Sequence, residues 1–320
     1  MNAPIYAGLL SFFVAVLLGP STISFLRRLK FGQHIRSAGP KAHLGKAGTP
    51  TMGGVLIVFA AVVATLVFAE PGSGTALRLI LVTLAFALIG LVDDFIIVVR
   101  KRSLGLRARS KLAAQLVIAA WIALYALNTP GLGPEVIVPF TGDAWELSPL
   151  LFFLLCVVAV AGTANAANFT DGLDGLAAGT SAIACIIYTV IALRAGQPDA
   201  AVFAAAVAGA CLGFAWFNAH PAQVFMGDTG ALALGGAIGA LAVLTRTQLA
   251  LPIIVSIFLV EILSVMIQVP YFRLTKGKRI FKMTPIHHHF EESGWAETKI
   301  VVRFWLLAAV SGVIGLLSLA

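Results

Sequence analysis

At 320 residues, 59% hydrophobic and only 11% charged, with a formal net charge of +8, the chain is too apolar for a soluble enzyme and carries no cysteine framework of the kind that staples small secreted domains. Apolar runs of bilayer-crossing length recur from end to end, so residues 1–320 read as a single integral membrane domain.

In chain order the runs place spans near 3–26, 51–69, 77–98, 112–128, 148–166, 175–194, 200–217, 229–245, 249–272 and 298–319. All are expected to be helices, because an unpaired backbone is too costly in hydrocarbon, which gives an all-α polytopic fold of about ten spans. The first run has no basic residue before it and Arg27, Arg28 and Lys30 after it, unlike a cleavable signal peptide, and is expected to remain as a span. Threading the spans alternately puts 27–50, 99–111, 167–174, 218–228 and 273–297 on one side. Of the 22 lysines and arginines only Arg78, Arg194 and Arg246 fall opposite. By the positive-inside rule the rich side is cytoplasmic, so both termini are expected outside. The outer connection Asn128 to Ser148, rich in Pro and Gly, reads as a turn or small hairpin without chemistry. Cys156, Cys185 and Cys211 lie inside apolar runs and read as packing residues. The chain has no convincing internal repeat, which weighs against an inverted-repeat transporter.

All six histidines, with Asp93, Asp94, Asp171, Asp174 and Asp228, lie on or beside the cytoplasmic segments. Ionisable groups near the bilayer are costly and mark function, so these loops are read as assembling one embedded active site that faces the cytoplasm. LVDDF sets Asp93 and Asp94 at the inner end of the third span, where adjacent helical positions point about 100° apart; an acid pair at a hydrated helix end is the blander account. In NAANFTDGLDG the amides Asn165 and Asn168 precede Asp171 and Asp174, a set able to hold a polar head by hydrogen bonds, although Asp171 could equally cap the sixth span. Asp228, between Gly227 and Gly230, reads either as the cap of the eighth helix or as a magnesium ligand beside a diphosphate. Phe225 could stack on a flat base. His287, His288 and His289 are consecutive, a poor spacing for zinc on a helix and a better one for donors to phosphate. Lys46 and Thr51, within KAHLGKAGTPTMGG, suggest an anion cradle, and Lys111 and Gln268 are the remaining polar groups placed near span ends.

Taken together, GTPTMGG at 48–54, VDD at 92–94, NAANFTDGLDGLA at 165–177, VFMGDTGALALG at 224–235 and PIHHHFE at 285–291 resemble the polyprenyl-phosphate N-acetylhexosamine-1-phosphate transferases, over nearly the whole chain and in family order. PIHHHFE is the most specific of these motifs and points to the branch that uses UDP-MurNAc-pentapeptide. The resemblance implies transfer of phospho-MurNAc-pentapeptide to undecaprenyl phosphate in the cytoplasmic (inner) membrane of a bacterium, with release of UMP, formation of lipid I and dependence on Mg2+. It implies Asp93, Asp94 and Asp228 as the essential acids, Asp228 as the metal ligand and Asp93 as the group that engages the lipid phosphate. Asn168, Asp171, Asp174, Asn218 and Phe225 would read the nucleoside, and Lys46, Thr51, Lys111, Gln268, His287, His288 and His289 would line the rest of the cleft. The sequence departs from the family at Ile97, where a lysine is usual; Arg100, one turn on, is a substitute. It also has Ala231 where serine is usual.

The expected chemistry is direct attack of a lipid phosphate oxygen on the sugar-bearing phosphorus, with a two-step route through a phospho-aspartate left open. Two rivals remain: a sister enzyme using UDP-GlcNAc, and a cation-coupled transporter whose only further acid deep in a span would be Glu261. Membrane lipid surrounds the protein, no nucleic-acid partner is expected, and a homodimer is left open.

Overall fold

A computed structural model describes residues 2–29, 48–100 and 105–319. Twelve helices and one two-stranded hairpin make up the described residues. The helices are α1 (Ala3–Arg28), α2 (Gly54–Phe68), α3 (Gly74–Arg100), α4 (Ala108–Asn128), α5 (Pro149–Thr170), α6 (Leu176–Arg194), α7 (Pro198–Asn218), α8 (Gly227–Leu244), α9 (Leu251–Ile254), α10 (Ser256–Leu274), α11 (Ile286–Glu291) and α12 (Glu297–Leu317). Among the described residues, nine of these are long and apolar enough to cross a bilayer; α2, at 15 residues, is the shorter apolar helix beside them. This is the all-α polytopic fold expected from the apolar runs.

The elements depart from that expectation in two places. The expected ninth span is broken into α9 and α10 at Val255, whose φ of −105° and ψ of 38° leave the helical region. Pro252 opens α9, the position where its missing N–H is harmless. The expected second span begins three residues late, because residues 50–53 form a loop that pairs with the start of α8 instead of continuing the helix. The connection between α4 and α5 is a hairpin, as read: β1 (Glu135–Ile137) pairs antiparallel with β2 (Ala144–Glu146). It is pinned to the bundle by Ile137 N to Arg246 O at 3.0 Å, with an Arg246–Glu135 ion pair at 2.7 Å.

α8 is the axis of the bundle, with every residue from Thr229 to Leu244 buried. α3 and α5 pack along it and α2 crosses it; α7 lies against α1, α2 and α6, and α12 closes on α6. Such burial is possible because α7 and α8 are rich in Ala and Gly, whose small side chains let backbones approach where lipid offers no hydrophobic drive for association. A Cβ at Gly90 on α3 would overlap the backbone carbonyl of Asp228, and one at Gly209 on α7 would overlap that of Gly8 on α1. Large apolar side chains such as Leu17, Val117 and Leu306 stud the outer faces of α1, α4 and α12, the surface that acyl chains would cover. Cys156, Cys185 and Cys211 are buried and free, as their apolar surroundings led one to expect.

Candidate active site

The close α3–α8 crossing brings the end of one helix against the beginning of another, and the acids gather there. Asp94 Oδ1 accepts the Asp228 backbone N–H at 3.1 Å, and its Oδ2 accepts the N–H and hydroxyl of Thr229 at 2.9 and 2.7 Å. Asp94 thus satisfies the orphan donors at the start of α8, where a negative charge also meets the positive end of the helix dipole. Gly227, at φ +71°, turns the chain into α8; a side chain there would meet both the Asp94 carboxylate and the Thr51 hydroxyl.

Asp93, one position earlier, points elsewhere. Its Oδ1 accepts the Leu106 N–H at 2.6 Å and its Oδ2 lies 3.6 Å from Lys111 Nζ. Lys111, on the first turn of α4, donates to Asp228 Oδ2, while Asn168, on the last turn of α5, donates to Asp228 Oδ1 at 2.7 Å. Asp228 is therefore held from two sides, and one ammonium serves two carboxylates. Lys111 is the charge partner shared by Asp93 and Asp228. Lys46 and the Arg100 side chain lie outside the described residues.

One turn deeper, Asn165 Nδ2 donates to Gln115 Oε1 at 2.6 Å, an amide pair bracing α4 against α5 directly beneath Lys111 and Asn168. The sequence singled out Asn165 and passed over Gln115, because a lone glutamine in an apolar run has no signature.

The loop between α5 and α6 runs alongside. Neither of its acids caps α6: that helix starts at Leu176 after Gly175 in the left-handed region, and Asp171 is instead the C-cap of α5. Nor is Asp228 a cap, since Met226 holds that position of α8. The Asp171 carboxyl accepts the Gly227 N–H, yet desolvation, followed by the nearby Asp228, Asp94 and Asp174 charges, pushes its pKa up to about 8. Asp174 Oδ2 accepts the Ala222 N–H at 3.1 Å and faces His220 Nδ1 at 3.0 Å, and its own N–H donates to Glu297 Oε1 at 2.7 Å. Asp174, His220 and Glu297 each bring one ligand atom to within 4.8 Å of the others, a spacing that could hold a metal ion.

Other expected site residues are tied to backbone. Asn218 accepts from Gly175 N at 3.0 Å and donates to Val224 O at 2.9 Å. Gln268 accepts from Ile280 and Phe281 N at 2.9 and 3.1 Å and donates to Phe281 O at 2.9 Å. The loop of Pro50 to Gly53, with buried Thr51, is zipped to the segment carrying Phe225: Phe225 N to Pro50 O at 2.8 Å, Gly53 N to Phe225 O and Gly54 N to Met226 O at 2.9 Å. On α11, His288 Nδ1 lies 2.6 Å from Glu291 Oε2, and His289 Nδ1 accepts the Lys282 N–H at 3.1 Å.

The central donor set suits magnesium. Asp93, Asp94 and Asp228 offer hard carboxylate oxygens, and against one Lys111 ammonium they leave two formal negative charges for a dication to balance. Two acids, one ammonium and one amide converging at the ends of four helices can bind and orient a pair of phosphates and stabilise charge moving between them.

Residues 76–246 match the family described as glycosyl transferase family 4, and residues 46–58 match the phospho-N-acetylmuramoyl-pentapeptide-transferase signature 1. The chain is 50% identical to a phospho-N-acetylmuramoyl-pentapeptide-transferase of Desulforamulus reducens over 96% of its length and 93% of the relative's. Against the protein of the same description from Moorella thermoacetica it is 51% identical, covering 95% of this chain and 94% of that one. For the Bacillus subtilis protein of that description the identity is 47%, over 96% and 95%.

Proposed function

The chain belongs to glycosyl transferase family 4 and, within it, to the phospho-N-acetylmuramoyl-pentapeptide transferases, and from that premise we propose how its own residues divide the reaction. The phospho-MurNAc-pentapeptide unit passes from UDP-MurNAc-pentapeptide to undecaprenyl phosphate on the cytoplasmic side of the membrane. An oxygen of the lipid phosphate bonds to the sugar-bearing phosphorus, the bond from that phosphorus to UMP breaks with its electron pair leaving on UMP, and lipid I forms. The lipid phosphate is already ionised at neutral pH, so placement and electrostatics do the work in preference to a strong base.

One observation supports this division most directly: Asp228 is gripped by Lys111 and Asn168 while Asp93 faces the same lysine. Asp93 and Lys111 orient the lipid phosphate, and Lys111 also steadies charge developing toward UMP. Asp94 does not touch substrate; it positions Asp228 by anchoring the start of α8. Asp171 and Phe225 face the nucleotide, and Asp174, Asn218 and Gln268 shape that pocket through the backbone they hold. Asp228, with Asp93, would hold Mg2+, which when bound would offset charge on the diphosphate.

The test is incubation of purified protein with UDP-MurNAc-pentapeptide and undecaprenyl phosphate, with and without Mg2+, scored for UMP release. Release from UDP-GlcNAc in place of the MurNAc donor would move the protein to the sister activity.

A further inference from the structure

Glu261 sits on the second turn of α10 with its side chain 0% exposed. A carboxylate there needs a partner, since an unpaired ionisable group inside a membrane-spanning helix is expensive. That partner is His287, the first histidine of α11: Oε2 lies 3.0 Å from the ring Nδ1 and 3.4 Å from the His287 backbone N, and the ring too is buried. The far edge of the same ring, Nε2 with Cε1, fills the space above Gly172 where any other residue would place its Cβ. Gly172 follows Asp171 directly and lies in the α5–α6 loop that also carries Asp174. Glu261 on α10, His287 on α11 and Gly172 on the loop thus form one line of contact from inside the membrane to the acids. His288 and His289 are held otherwise, by Glu291 and by the Lys282 backbone.

We propose that Glu261 is a positioning residue for donor binding. Its carboxylate accepts the His287 backbone N–H and lies against the Nδ1 edge of the ring, which fixes where His287 sits; the ring packs on Gly172, and the contact sets the height of the Asp171–Asp174 loop beneath the nucleotide. The proposal rests on the reading of that loop as a wall of the donor pocket. A carboxylate with a purely structural role would behave differently, because leucine has similar bulk and suits an apolar helix: a chain that needed only packing at this point would bind donor normally as Glu261→Leu.

Glu261→Leu, Glu261→Gln and Gly172→Ala are purified in detergent and compared with wild type for monodispersity and thermal transition. KM and kcat for the donor are then taken from UMP release, and ring 15N signals are recorded from histidine-labelled protein, with His287 assigned by the signal lost in His287→Gln. Glu261→Leu is expected to raise the donor KM about tenfold with kcat changed less than about threefold, and to move the His287 signals. Glu261→Gln keeps an oxygen acceptor in place and should return KM to within about threefold of wild type. Gly172 has a backbone conformation that alanine adopts, so Gly172→Ala reaches the ring from the other side and should reproduce the KM rise; it also serves if Glu261→Leu fails to fold. Wild-type donor KM in a folded Glu261→Leu or Gly172→Ala protein, unmoved His287 signals, or no recovery in Glu261→Gln would each overturn the proposal. The ring signals score the Glu261–His287 link without turnover, whereas a wild-type protein that releases no UMP would count against the reaction itself.

Discussion

Adjacent positions on a helix point about 100° apart, and Asp93 and Asp94 use that divergence to face a lysine on one side and a helix start on the other. The two should therefore fail differently. Asp93→Asn should lose chemistry in single-turnover assays while keeping most nucleotide affinity. Asp94→Asn gives up charge-assisted bonds to Asp228 and Thr229, and should lower stability by about 1–3 kcal/mol, read as a fall in the detergent melting temperature, together with activity. Asp228→Ala should fold and lose on the order of 10³-fold or more in kcat, read as UMP release; near-normal, magnesium-dependent turnover would remove it from the metal site. Asp171 gives the pH prediction. Its carboxyl is raised from 3.8 to about 8, so it keeps its proton through neutral pH and becomes an anion as pH rises through that value. That charge faces an anionic donor, so the donor KM should climb above pH ~8 in wild type and stay flat in Asp171→Asn. The sequence made every one of these acids visible, because a carboxylate in an apolar run is conspicuous. It could not say that Asp94 is consumed by the start of α8, 135 residues on, or that Asn218 is held by Gly175, 43 residues back, since those partners are set by tertiary contacts.

At the scale of elements, the site depends on how closely helix ends can meet. Gly90 lets α3 pass directly over the Asp228 carbonyl. Gly90→Val would push α3 off α8 and separate Asp93 and Asp94 from Asp228, costing about 1–3 kcal/mol of stability and most of the activity. Gly162→Ala on α5 meets nothing within 4 Å and should be neutral in both melting temperature and UMP release. The shortness of α2 belongs to the same design: its would-be first turn is spent zipping Pro50–Gly54 to Phe225 and Met226. Apolar composition placed these spans to within a few residues. The short α2 and the broken α9–α10 were misjudged, because hydropathy records which residues suit lipid and not where the backbone bonds go.

For the whole molecule, the charge asymmetry predicts that cysteines placed at Ser73 and Thr141 are labelled from outside intact cells, and one at Thr275 only after permeabilisation, with the three native cysteines silent because they are buried. The opposite pattern would invert the topology and move the site to the wrong face. Sequence alone determined that this is a membrane protein of about ten apolar runs, how its basic residues are distributed along the chain, and which polar residues are the candidates for one site. Those are properties of composition and short motifs, which lipid and chemistry impose locally. Tertiary structure alone decided the pairing: Lys111 against Asp93 and Asp228, Asp94 on the first turn of α8, Gln115 beneath Asn165, and Glu261 behind His287. Each of these joins different helices, and only their packing, set by small residues at a few crossings, brings such groups within reach of one another.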